Sequence, residues 1–204
     1  MAQFDYLFPT PVMISSFIPN NMKDIEELLI SNSIDELKTR NWVTTQDNLH
    51  KIPPFQDFIS KLKNEVKTYC NEMLLIDYNN LELTSLWANI HTENSAHDLH
   101  MHSNSFVSGV YYVRVPDKDQ GHISFADPRD VREVFITDHT DPTDKRVTRI
   151  YDYKPQNGML ILFPSWLKHR VNQFKLDNDY RISMSFNFIL TKSNLITRSF
   201  SYNK

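Results

Sequence analysis

His100 and His102 stand two positions apart in a polar stretch, Asn94-Ser-Ala-His-Asp-Leu-His-Met-His-Ser-Asn-Ser105. In an extended strand, residues two apart share a face, so the two imidazoles form a ready pair of metal ligands. A polar neighbourhood argues against two histidines buried in a core. A third imidazole, His169, follows the apolar phrase Gly158-Met-Leu-Ile-Leu-Phe-Pro164. Pro164 has no N–H for a sheet ladder, so that strand should stop there, turn, and restart near His169. Arg181 then opens a strand with clean alternation. Ile182, Met184, Phe186 and Phe188 share one face; Arg181, Ser183, Ser185 and Asn187 share the other. A guanidinium beside short hydroxyls suits a carboxylate, because its planar fork donates two parallel hydrogen bonds. The order of these residues predicts a metal site and a carboxylate site in one pocket.

The rest of the chain must position them. Asn20 or Asn21 is placed to cap a helix carrying Met22, Ile25, Leu28 and Leu29 at helical spacing. A weaker helix or irregular stretch carries Ile34 and Leu37 up to Trp42. After Pro53-Pro54 comes the clearest helix, with Phe55, Phe58, Ile59, Leu62, Val66, Tyr69 and Met73 as one apolar stripe. Cys70 falls inside that pattern and is read as a small buried hydrophobe. The first 18 residues suggest an edge segment leading into a strand around 12–17.

Beyond Asn79-Asn80 the period changes from 3.6 to 2. Strands are expected at 81–91, 106–115, 122–126, 134–136, 147–153, 159–163 and 180–190. Helices first and strands afterwards argue for an antiparallel, mainly β protein with packing helices. A double-sheet jelly roll with the N-terminal helices on the outside of the sheet fits that order. With three glycines and ten prolines, the corners must be turned by Asn, Asp and Pro.

The chain of 204 residues shows no repeat or linker and is read as a single domain over 1–204. A net charge of −3 without a basic block gives no expectation of non-specific nucleic-acid binding. A lone cysteine excludes an internal disulfide. The N-terminus lacks a basic leader followed by an apolar run, and no stretch reaches membrane-spanning length, so a cytoplasmic protein is expected.

Several segments together resemble the 2-oxoglutarate/Fe(II) oxygenases of marine bacteria and their phages. They are Asn89-Ile90, His100-x-His102, Ser108-Gly-Val-Tyr-Tyr112, Asp127-Pro-Arg129, Gly158-x-Leu-Ile-Leu-Phe-Pro-Ser-Trp-Leu-x-His169 and Arg181-Ile-Ser-x-Ser-Phe-Asn187. Leu7-Phe-Pro-Thr-Pro-Val12 and Asn48-Leu-His50 extend the likeness over most of the chain.

The resemblance implies a double-stranded β-helix with two cofactors, Fe(II) and 2-oxoglutarate. It implies His100, His102 and His169 as metal ligands and Arg181 on the distal carboxylate of 2-oxoglutarate. Ser183, Tyr112 and Asn89 follow as further cosubstrate contacts. The activity implied is hydroxylation of a substrate with release of succinate and CO2, in the host cytoplasm if the protein is viral.

The sequence departs from the wider superfamily at His102, where a carboxylate usually stands. Two rivals therefore stay open: a cupin-like three-histidine metalloenzyme that needs no 2-oxoglutarate, and a non-catalytic viral jelly-roll module. The substrate (amino acid, peptide or small metabolite) and the oligomeric state are not fixed by the sequence. His122 and Asp127-Pro-Arg129 are candidates for substrate recognition, and 129–149 for a lid. His50, His91 and His139 carry no expected role.

Overall fold

A computed structural model describes residues 3, 7–116, 121–129, 140–141, 143–173 and 179–191. Among them, ten strands form two antiparallel sheets. In chain order they are β1 (Met13–Ser16), β2 (Trp42–Thr44), β3 (Leu81–His91), β4 (His97–His100), β5 (Val107–Arg114), β6 (Ile123–Ala126), β7 (Ile150–Tyr153), β8 (Met159–Pro164), β9 (His169–Val171) and β10 (Arg181–Leu190). The larger sheet runs β1-β8-β5-β10-β3-β2 and the smaller β4-β9-β6-β7.

From β3 onward, successive strands tend to change sheet. β3, β5, β8 and β10 build the large sheet, and β4, β6, β7 and β9 the small one. That interleaving is the double Greek key of a jelly roll, here a double-stranded β-helix. β1 and β2 add one strand to each edge of the large sheet.

The alternation in β10 explains how the layers stack. Ile182, Met184, Phe186 and Phe188 face the helices, where they join Leu86, Ala88, Ile90 and Tyr111 in one core. The helices α1 (Met22–Ser31) and α3 (Gln56–Tyr69) supply Ile25, Leu29, Phe58, Ile59, Leu62, Val66 and Tyr69 to it. The short α2 spans Ile34–Leu37. The opposite face of the large sheet looks towards the small one. A second core lies there, with Val110, Tyr112, Ile123, Phe125, Ile161, Phe163 and Leu167. The polar face of β10 is therefore the inside of the sandwich, and Arg181 and Ser183 are both buried.

Details differ from the sequence expectations for physical reasons. Met73 is exposed, because residues Cys70–Leu74 widen into a π-turn that rotates the apolar stripe out of phase. Asn21 occupies the N-cap of α1 but makes no capping bond. Its amide donates to Pro54 O at 2.8 Å, and Asn20 N–H donates to Asp57 Oδ2 at 2.8 Å, so the pair ties α1 to α3.

The helical part of the stretch before Trp42 is confined to α2, and Trp42 itself starts β2. Cys70 is buried and free, and burial pushes its thiol up to about 11. Asn94 and Asn104 take left-handed backbone (φ 60° and 58°), the corner-turning expected of a glycine-poor chain. The expected strand 134–136, His139 and most of the expected lid lie outside the described residues. No helix among the described residues is long and apolar enough to cross a membrane.

Candidate metal centre

β4 and β9 are neighbours in the small sheet, and their register sets His100 directly against His169. His102 lies just past β4, where its N–H donates to Ser165 O at 3.0 Å. Ser165 is in turn held by Ser108, whose hydroxyl lies 2.7 Å from Ser165 Oγ and 2.7 Å from Asn187 Oδ1. The turn after β8 is closed by Leu167 N–H to Pro164 O at 2.9 Å, and His169 restarts the chain as a strand.

These constraints bring one ring nitrogen from each of His100, His102 and His169 within 4.8 Å of one another. The Nε2 atoms of His102 and His169 are 3.3 Å apart.

Hydrogen bonding fixes which nitrogens face inward. His169 Nδ1 lies 3.0 Å from Leu167 O, and His100 Nδ1 lies 2.7 Å from Asp98 O. A carbonyl only accepts, so both Nδ1 atoms carry the proton and both Nε2 atoms present lone pairs. Burial, with smaller contributions from neighbouring rings, holds His169 down to about 3 and His102 down to about 4. Both are neutral at pH 7, as ligands must be. Phe163 packs on His169 at 4.6 Å between ring centroids, and Trp87 lies 6.0 Å from His102.

The three imidazoles open onto a cavity of about 60 Å³ between the sheets. Its lining includes Asn89, Tyr112, Arg181 and Ser183. Cross-strand register accounts for that grouping: Ser183 lies opposite Asn89 on β3 and Tyr112 on β5.

The Arg181 guanidinium donates from Nη1 to Gly121 O at 2.9 Å and sits 5.9 Å from the Tyr112 ring centroid. Burial pushes the Tyr112 hydroxyl up to about 12, so it stays protonated. Asn89 Oδ1 accepts from Thr44 Oγ1 at 2.8 Å, and its Nδ2 points to Ser185 Oγ at 3.4 Å.

The structure thus gathers the three histidines, Arg181, Ser183, Tyr112 and Asn89 around one cavity, and leaves His122 and Asp127-Pro-Arg129 outside its lining. It also adds His91, His97, Trp87 and Ser185. His91 and Trp87 stand two positions either side of Asn89 on β3, so parity alone would have found them. His97 was hidden by a register irregularity in β4 between His97 and His100. His50 stays away from this cavity, and Asp127 and Arg129 pair with each other beyond it at 2.8 Å.

A model of the family described as "Putative 2OG-Fe(II) oxygenase" matches residues 85–187. The chain belongs to that family. The matched segment holds all three histidines and Arg181. No match was found among curated proteins.

Among solved structures, the chain is similar to a prolyl-4-hydroxylase of Pseudomonas putida (TM-score 0.60, 13% identity, 89% of this chain and 93% of that one). It is also similar to HygX of Streptomyces hygroscopicus with nickel and 2-oxoglutarate bound (TM-score 0.57, 14% identity, 89% and 83%). A third is SnoN, a non-heme α-ketoglutarate dependent epimerase from nogalamycin biosynthesis (TM-score 0.58, 10% identity, 88% and 76%). At these identities the likeness shows the double-stranded β-helix.

Fe(II) and 2-oxoglutarate are the cofactors of the family, and the residues present fit them. Three imidazoles leave positions open on a first-row metal. A buried arginine lines the same cavity as a fork for a carboxylate.

Proposed function

We propose that the protein is an Fe(II)- and 2-oxoglutarate-dependent hydroxylase. The observation that carries this reading is one small cavity lined by three convergent imidazoles and by a buried arginine. His100, His102 and His169 hold the metal, and Arg181 binds the distal carboxylate of 2-oxoglutarate. Ser183 and Tyr112 offer hydroxyls beside it, and Asn89 offers its amide.

Fe(II) and 2-oxoglutarate supply the oxidising chemistry when bound: O2 is consumed, 2-oxoglutarate becomes succinate and CO2, and one oxygen atom passes to the substrate. The chain orients and excludes water. Leu167 O and Asp98 O fix the ligand tautomers, and Phe163, Ile123 and Val171 wall the cavity with apolar surface.

The fold also carries an epimerase, so hydroxylation as the outcome is part of the proposal. So are an amino acid, peptide or small metabolite as substrate, a cytoplasmic location and the grouping with marine bacterial and phage proteins. The test is anaerobic loading with Fe(II), then 2-oxoglutarate and air, with succinate as the readout. One Fe(II) per chain and succinate formation are expected. Iron uptake without any 2-oxoglutarate binding would favour the cosubstrate-free three-histidine alternative.

A further inference from the structure

Arg181 is a long side chain that must present its fork at one fixed place, and the structure contains a device for that. His91 on β3 lies directly opposite Arg181 on β10. Its Nδ1 is 3.4 Å from Arg181 Nη2, and its Nε2 is 2.8 Å from His97 Nε2. A guanidinium can only donate, so Nδ1 of His91 is the acceptor and Nε2 carries the proton. That proton goes to His97 Nε2, which leaves the proton of His97 on Nδ1.

Trp42 closes the arrangement. Its ring plane lies within 7° of that of His91 at 6.2 Å, and its centroid is 4.6 Å from that of His97. Gly121 O takes a second guanidinium N–H from the other side. Both of these acceptors are uncharged groups. They hold the fork without themselves placing a negative charge where an incoming carboxylate must bind.

We infer that His91, oriented by His97 and Trp42, is a positioning residue that aims the Arg181 guanidinium at the carboxylate of 2-oxoglutarate. The inference rests on the cosubstrate role proposed above for Arg181.

Isothermal titration of the anaerobic Fe(II)-loaded full chain with 2-oxoglutarate tests it, with Fe(II) uptake measured in parallel. His91→Asn keeps an acceptor at the Nδ1 position but loses the ring that meets His97 and Trp42, and should bind only about three- to fivefold more weakly than the wild type, the effect of one lost neutral hydrogen bond. His91→Asp has the same shape but a negative charge beside the fork, and should bind at least about tenfold more weakly with Fe(II) uptake unchanged, a loss of about 1.4 kcal/mol or more. A purely structural role for His91 would not separate these two near-isosteric variants.

His97→Gln and His97→Leu give a second pair should a buried carboxylate prevent folding. Glutamine can still accept from His91 and should retain affinity, whereas leucine should lose it. Equal affinities within each pair would overturn the inference while leaving the cosubstrate reading intact. A wild-type protein that takes up Fe(II) but not 2-oxoglutarate would instead remove the cosubstrate reading itself.

Discussion

In the proposed metal centre, His102 takes the place that the wider sequence resemblance would give to a carboxylate. A third imidazole in place of a carboxylate would leave a bound metal one unit more positive, which would suit an anionic cosubstrate. Replacing His102 by Asp should therefore retain Fe(II), whereas His102→Ala should weaken it by at least about 100-fold, since even outer-sphere changes cost 10–100-fold. Equilibrium dialysis against Fe(II) under nitrogen reads both.

Arg181→Ala should leave iron in place and weaken 2-oxoglutarate by about 10- to 100-fold, the effect of losing a charge-assisted contact of about 1.5–3 kcal/mol. Unchanged 2-oxoglutarate affinity would detach Arg181 from the role proposed for it. The residue types were legible in the sequence because their chemistry is scarce: two histidines in a polar context, a third after a strand-ending proline, and one arginine on an alternating strand. His91 and His97 were not: His91, at the end of a largely buried strand, looks like packing until its cross-strand partner is known, and the irregular register of β4 hides the direction of His97.

At the level of elements, β5 sits between β8 and β10, and Gly109 lies where that packing leaves no room for a side chain. A Cβ there would stand 2.5 Å from Phe186 Cζ, 2.7 Å from Ile161 O and 2.8 Å from Leu162 Cδ2. One of these atoms is backbone and cannot step aside. Gly109→Ala should cost at least about 1–3 kcal/mol, measured as a shift of the urea midpoint at unchanged slope.

The long strands and α3 were legible because their apolar period runs over many residues. β2 and β9, of three residues each, and β4, of four, are too short to show a period. The edge of the small sheet that carries His100 and His169 is built from such pieces. Its order comes from pairing with distant strands, which no local pattern encodes.

For the whole molecule, the buried imidazoles set a pH dependence. His102 and His97 are held at about 4 and His169 at about 3, all chiefly by burial. Unfolded, each would titrate near 6.5. A depressed folded value means that the unfolded chain takes up protons first as pH falls. The metal-free protein should thus show a flat urea midpoint above about pH 7. The midpoint should decline between about 6.5 and 4 and level off below the folded values as far as these histidines are concerned. A midpoint that stayed flat down to pH 4 would contradict the burial of these rings.

The strand order has a temporal consequence. His102 and His169 are 67 positions apart, and His91 and Arg181 are 90 apart. Neither half of the centre exists in a nascent chain until its later partner has left the ribosome and closed a long loop, a slow kind of contact to make. Capture of iron would therefore come late in biogenesis, and a truncated translation product ending before residue 169 would carry two of the three imidazoles and no finished trap for the metal.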